Sequence, residues 1–397
     1  MVLDKRVEKL NVFYLGLIIL WPVIKQVFLN IDGANRLETI FSVIVIIENG
    51  KVFVKCPKAM YFWMAWIVYN LINTHFKGFY IEGYPYSVWA PYRLFVPLAV
   101  MLISYQTALY GRIDLYRKLF YFFFIYVLLG AVGLSSVEAH DVGTRVHNDM
   151  GNHYFNTLIL SATYAAICFY KKNVSLSLCY CLLIFSFIII IFSGERKGLL
   201  GLLTILFGFL YAKNAGKGLK SILAMIVLFI VGYISISYLM QFTTAGIRMS
   251  NAMVDTDYND NLFLMLMGDR AVMYVEGWDS FMHNFWTGIG LMNGAREIIG
   301  LKIMFHTEYM MQMAECGMIG FALFLGFYIS MIRRCTKMLL IPSERETNCI
   351  IIFTLMAIIL INFVAWSFDN TFYFMFFGIL FAHGDKLQNR CLKRIKK

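Results

Sequence analysis

Three side chains in this sequence combine useful chemistry with an unexpected place: Arg196, Arg270 and His306. Arg196 stands beside Lys197 in Ser193-Gly194-Glu195-Arg196-Lys197-Gly198, a tight hairpin between two very apolar runs. A fixed guanidinium there could hold a phosphate or diphosphate through paired hydrogen bonds. The plainer alternative is snorkelling, in which long cationic side chains reach the lipid headgroup zone for solvation alone. Arg270 follows Gly268-Asp269 and opens the amphipathic stretch 271–285. Val272, Val275, Trp278, Phe281 and Met282 recur there at helical spacing, and this apolar stripe is expected to pack against the membrane part of the protein. Trp286-Thr287-Gly288-Ile289-Gly290 comes next; no strand leads into it and no third glycine follows at the needed spacing, so it reads as a backbone turn and not as a nucleotide fingerprint. His306-Thr307-Glu308-Tyr309 then precedes another apolar run. His306 brings an imidazole, whose ordinary titration at about 6.5 lets it exchange a proton near neutral pH. The alternative is an interfacial or capping residue, with Thr307 as a helix cap and Glu308 in the first turn.

The elements that must position these groups follow from composition. Sixty per cent of the 397 residues are hydrophobic and 15% charged, against roughly 45–50% and 25% in globular chains, which excludes a soluble protein. Apolar runs fall at about 11–28, 37–54, 59–74, 88–110, 119–137, 154–170, 174–192, 198–212, 219–240, 317–332, 348–366 and 371–383. With roughly 20 apolar residues needed per crossing, these predict an all-α polytopic membrane protein of about 12 transmembrane helices. Glu48 and Lys51 weaken the second run, and the last is short. With the N-terminus inside, 24 of the 35 lysines and arginines fall on inner loops and in the tail, the bias expected of cytoplasmic segments. Both termini are then cytoplasmic, and residues 11–28, behind Lys5, Arg6 and Lys9, form a retained signal-anchor helix. The organisation is 1–240 as helices one to nine, 241–316 as a long outer loop containing short helices, and 317–397 as helices ten to twelve with a basic tail.

Arg145, Arg196, Lys197, Arg270 and His306 thereby share the outer side, so any chemistry is outside. The net charge of +11 is scattered between apolar runs and reads as topology, with no nucleic-acid partner. No phosphate-cradling glycine loop of the G-x-x-x-x-G-K-[ST] type lies on the inner side, which argues against ATP-driven work. The eight cysteines lack paired metal-ligand spacing, and His140, His147 and His153 beside Asp141 and Asp149 match no ligand pattern.

The motifs resemble those of bacterial O-antigen ligases and polymerases. His306-Thr307, followed at a distance by Gly317-Met318-Ile319-Gly320, is similar to that family's histidine motif before a Gly-x-x-Gly helix start, with Thr307 where Asn, Ser or Gln is usual. The Ser193–Leu200 segment resembles its outer S-x-S-R-G-x-L hairpin, with Glu195 replacing the second serine, and Arg270 upstream of Thr287-Gly288-Ile289-Gly290 resembles the arginine and P-L-x-G-x-G element of its long loop. Thr144-Arg145 through His153 is a weaker likeness. The resemblance spans about residues 140–325, and its three main motifs keep the family's order and sidedness.

That resemblance implies a membrane-embedded inverting glycosyltransferase using a glycan on undecaprenyl diphosphate, with neither nucleotide sugar, metal nor other cofactor. Arg196 and Arg270 would clamp the diphosphate and stabilise it as it leaves. His306 would take the acceptor hydroxyl's proton or hold the diphosphate, with Glu308 and Glu195 as runner-up bases. Lys197, Arg145, Glu308 and Glu195 complete the expected substrate contacts. The expected partners are the lipid-linked oligosaccharide, the bilayer and a chain-length regulator protein; the expected place is the bacterial inner membrane. An O-antigen or capsular polysaccharide polymerase is favoured, because no outer basic patch suits a phosphorylated lipid core. The alternatives are the ligase that moves finished glycan to lipid A-core, or a transporter or flippase of lipid-linked glycan, the latter disfavoured by the scarcity of mid-span charges.

Overall fold

Within a bilayer every backbone polar group must find its partner inside the protein, which leaves helices as the default answer for apolar runs of this length. The computed structural model describes residues 3–29, 36–50, 56–78, 90–139, 143–148, 152–193, 196–214, 223, 227, 270–293, 297–298, 301–302, 307–341, 344–363 and 370–395. Among these the helices are α1 (Lys5–Val23), α2 (Arg36–Glu48), α3 (Lys58–Lys77), α4 (Val96–Tyr110), α5 (Leu115–Val132), α6 (Asn152–Lys171), α7 (Leu176–Ser193), α8 (Arg196–Asn214), α9 (Arg270–His283), α10 (Glu308–Leu339), α11 (Arg345–Asn362) and α12 (Thr371–Ile395). Five helical segments among the described residues are long and apolar enough to cross a membrane: Lys5–Phe28, Arg93–Tyr110, Leu115–Val132, Glu308–Leu339 and Arg345–Asn362. The chain is a polytopic α-helical membrane protein. Of the apolar run 219–240 only Leu223 and Val227 are among the described residues, both exposed; α9 is the amphipathic helix of the long segment.

The run 119–137 ends differently from expectation. Helix α5 stops at Val132, Gly133 donates its N–H back to Gly130, and Leu134–Ala139 is a strand, β1, paired antiparallel with β2 (Gly143–Asn148) in the register Leu134↔Asn148 to Ala139↔Gly143. Glycines at 130 and 133 weaken helix propensity, and the β-branched Val137 favours an extended backbone over another helical turn. A second pair, β3 (Glu297–Ile298) and β4 (Leu301–Lys302), is only two residues long on each side.

One compact unit comprises residues 1–34, 110–257 and 337–361. Asp4 caps α1 by accepting from the Arg6 N–H at 2.7 Å. The buried Glu8 carboxylate accepts the N–H groups of Arg112 and Ile113 at 2.5 and 2.6 Å, so it ends the α4–α5 connection as a cap and not as a stray charge. Small residues allow close helix approach, as membrane packing requires. A Cβ on Gly16 would lie 2.8 Å from the Phe122 ring, and one on Gly208 would lie 2.5 Å from Phe353 Cβ. Thr163 and Thr354 pair their hydroxyls at 3.0 Å between α6 and α11. Gly208→Leu is expected to overpack this contact and cost about 1–3 kcal/mol. A thermal midpoint in detergent equal to wild type would remove Gly208 from the helix contact.

The other unit comprises residues 35–109, 258–336 and 362–397. Its core is aromatic: Trp63 stacks on Trp66 at 4.4 Å and meets Phe327 at 5.3 Å and Phe374 at 4.8 Å. Such pairs add about 0.5–1.5 kcal/mol each beyond area burial. At one end Arg334 binds Asp385 at 2.5 Å, and the Tyr105 hydroxyl donates to the same carboxylate at 2.8 Å, joining α10, α12 and α4. Gly378 lies against Ser104 and Met101 with no room for a Cβ, so α12 and α4 touch backbone to backbone.

Candidate functional site

Helix α10 is two helices in series. Gly317 at φ 63°, ψ −171° breaks it, in a region that glycine alone occupies comfortably. A break inside an apolar segment strands carbonyls on one side and N–H groups on the other, and both need partners. The turn after α9 supplies them. Ile289 and Gly290 donate their N–H groups to the carbonyls of Ala314 and Glu315 at 3.0 and 2.8 Å, while Met318 and Ile319 donate to the carbonyls of Phe285 and Trp286 at 2.8 and 3.3 Å. Gly288 and Gly290 hold positive φ, 66° and 98°. A Cβ on Gly288 would strike the Glu315 carbonyl, and one on Gly317 would strike Gly288 N and the Trp286 carbonyl group. The Gly288-Ile289-Gly290 turn is thus a plug for a broken helix.

Helix α3 holds the plug from the other side. Tyr69 Oη lies 2.9 Å from the Cys316 carbonyl and 3.2 Å from that of Thr287, and Asn73 Nδ2 donates to Thr287 O at 2.7 Å. The Leu291 N–H donates to Thr74 Oγ1 at 3.0 Å, and Asn293 Nδ2 donates to the carbonyls of Gly78 and Ile289 at 2.8 and 2.9 Å. The buried Glu315 carboxylate accepts the Met292 N–H at 2.6 Å. These polar groups lie on one α3 face at helical spacing, a signal present in the sequence as Tyr69, Asn70, Asn73 and Thr74 within an apolar run. Sequence reasoning centred on charges passed over it.

The start of α10 carries the candidate chemistry. Glu308 is its first residue and fully buried; Gln312 Nε2 donates to Glu308 Oε1 at 2.8 Å, and Trp66 Nε1 donates to Gln312 Oε1 at 2.8 Å. The side chain of Gln312 is thereby oriented from one end and orients the carboxylate at the other. Thr307 stands where a cap should, since its carbonyl accepts the Met311 N–H at 3.0 Å. Its hydroxyl does not cap: Thr307 Oγ1 is buried and has no hydrogen-bond partner among the described residues.

The other expected residues fall as follows. Arg196 is the first residue of α8 and Lys197 the second, half-buried. Arg270 is the first residue of α9. Arg145 sits on β2, opposite Val137. His306 and Glu195 lie outside the described residues. Both principal arginines therefore begin helices, and the positive end of a helix favours an anion. Arg270, Glu308 and the plug belong to one compact unit and Arg196 to the other.

Helix α9 corrects one expectation. Phe281 of its apolar stripe is buried, but Val275, Trp278 and Met282 are exposed. The buried side carries Gly277 and Phe281, and the Tyr274 hydroxyl donates to the Phe363 carbonyl at 2.7 Å.

No curated protein matches the chain. The family model described as O-antigen ligase matches residues 181–325, a span that takes in Glu195, Arg196, Lys197, Arg270, His306 and Glu308 and leaves out Arg145. With its hairpin arginine, its long-segment arginine, its plugged glycine turn and its histidine motif all inside that match, this stretch of the chain carries an O-antigen ligase family domain, which supports a function of the O-antigen polymerase or ligase type.

Proposed function

We propose that this protein polymerises oligosaccharide repeat units of an O-antigen or capsular polysaccharide, transferring glycan from undecaprenyl diphosphate to an acceptor sugar hydroxyl with inversion. The observation that carries the reading is the family match enclosing the motifs in order. The reaction takes place at the outer face of the inner membrane, with residues 241–316 as the outer loop and both termini cytoplasmic. The donor's diphosphate lies at the headgroup boundary while its lipid stays in the bilayer. Arg196 and Arg270 hold the diphosphate and stabilise the charge it gains as the glycosidic bond to it breaks. Lys197 and Arg145 add positive charge, and a chain-length regulator is the expected protein partner.

His306 takes the proton from the attacking hydroxyl. Its chain neighbour but one, Glu308, is held by the Gln312–Trp66 chain and places an oriented carboxyl group close in sequence to the base. Glu195 is the second candidate carboxylate. His306→Ala is expected to lower turnover by about 10²–10⁴-fold while donor binding persists, as loss of proton transfer does. Chain growth within a few-fold of wild type for that variant, assayed with purified lipid-linked repeat units, would remove the histidine from the chemistry.

A second reading is favoured by the family's own description: the ligase that transfers finished glycan to lipid A-core. The two reactions share the donor and the leaving group and differ in the acceptor. Purified protein in vesicles, given lipid-linked repeat units alone, lengthens chains if it is a polymerase. Transfer to lipid A-core without any chain extension identifies the ligase instead.

A further inference from the structure

We infer that α9 is a membrane-surface helix, its Trp278 side sunk into the lipid at the level of the headgroups. Three of its residues show large apolar surface on one sector: Val275 is 63% exposed, Trp278 52% and Met282 55%, and Trp286 just beyond the helix is 66% exposed. At about 100° per residue, Val275, Trp278 and Met282 fall within one third of the helix circumference. Gly277 and Phe281 fall on a different sector, which is buried in the protein. Glu276, Asp279 and His283 occupy the remaining one, with Asp279 and His283 exposed and 3.4 Å apart. One helix therefore offers separate faces to protein, to water and to something apolar.

What covers the apolar face follows from its continuity with the spanning helix. The Trp286 carbonyl accepts the N–H of Ile319, the second residue of the spanning half of α10. Ile319 opens an outward apolar stripe on α10 that continues through Ala322, Ile329 and Ile332. Helix α3, hydrogen-bonded to the same turn through Tyr69 and Asn73, likewise exposes Val68, Ile72 and Phe76. In a membrane protein such stripes face acyl chains, and the α9 face joins them at the end of the span. Tryptophans in pairs at that level, beside a charged sector, are the composition of an interfacial helix, which sinks about 5–10 Å into the boundary between headgroups and chains. The occupant is the bilayer itself.

The consequence for catalysis rests on the glycan-transfer reading: with α9 lying in the interface, Arg270 at its first residue is kept at the depth of lipid phosphates. The embedding can be tested without any donor. Protein in vesicles is compared with the Trp278→Phe/Trp286→Phe double variant, and the fluorescence lost between them is the signal of these two tryptophans. Lipids brominated near the headgroup end of the acyl chain are expected to quench that difference signal several-fold more than lipids brominated near the methyl end, and aqueous acrylamide is expected to leave it largely intact. Strong quenching by acrylamide with none by brominated lipid would overturn the inference and indicate a face open to water, free for a protein partner. Because the measurement involves no transfer reaction, its failure would leave the proposed activity standing, and loss of activity elsewhere would leave the embedding standing.

Discussion

Arg196→Ala and Arg270→Ala are each expected to abolish polymer while the protein still reaches the membrane in normal amount. In the proposed transfer a diphosphate leaving group gains charge as the glycosidic bond breaks, and fixed guanidinium donors would meet that charge. Removing one such donor costs about 10²–10³-fold in rate. Lysine should rescue poorly at either position, because an ammonium lacks the planar fork that binds two phosphate oxygens together. If either arginine only snorkels to the headgroups, its lysine variant will be indistinguishable from wild type. Both residues begin helices, α8 and α9, so the loss of either guanidinium also removes charge from a helix end that favours anions. The decisive measurement is glycan length from cells expressing each variant at matched membrane abundance; normal-length polymer from an alanine variant removes that residue from the site.

Gly317→Ala is expected to be as damaging to the fold as the arginine changes are to the reaction. Its φ of 63° and ψ of −171° suit only glycine, and a methyl group there would press on Gly288 N and the Trp286 carbonyl group. Backbone strain of this kind costs about 1–3 kcal/mol before any steric contact is counted. The Gly288→Ala change meets the same wall from the other side, at the Glu315 carbonyl. Either substitution should unseat the plug and free the carbonyls of Ala314 and Glu315 together with the N–H groups of Met318 and Ile319. The expected result is a clear fall in thermal midpoint together with loss of glycan transfer, since Glu308 and the residue after His306 lie less than three turns from the break. Wild-type stability for both variants would show that α10 does not depend on the turn to close its gap. In the double variant the two penalties should not add, because one collapsed contact cannot be lost twice.

Much of this was legible in the residues alone. The membrane class, the helical content and the order of the arginine, glycine and histidine motifs are local or compositional properties, and apolar runs in lipid have almost no alternative to helix. The turn at Gly288-Ile289-Gly290 could be read because paired glycines mark backbone that other residues cannot adopt. What the turn is for could not be read, because its partners are distant: Tyr69 reaches Thr287 across 218 positions and Trp66 reaches Gln312 across 246. The same holds for α9, where periodicity announced an apolar stripe but only packing decided that Phe281 turns inward while Trp278 and Met282 stay outside. The strand β1 replaced the last turn of a predicted span because β2 was available to pair with it. Sequence by itself determined that the long apolar runs among the described residues are helical over most of their length, since hydrogen bonds within a helix need no distant partner. Tertiary structure decided where a helix could afford to break, since stranded backbone groups at Gly317 are tolerable only when another part of the chain arrives to satisfy them.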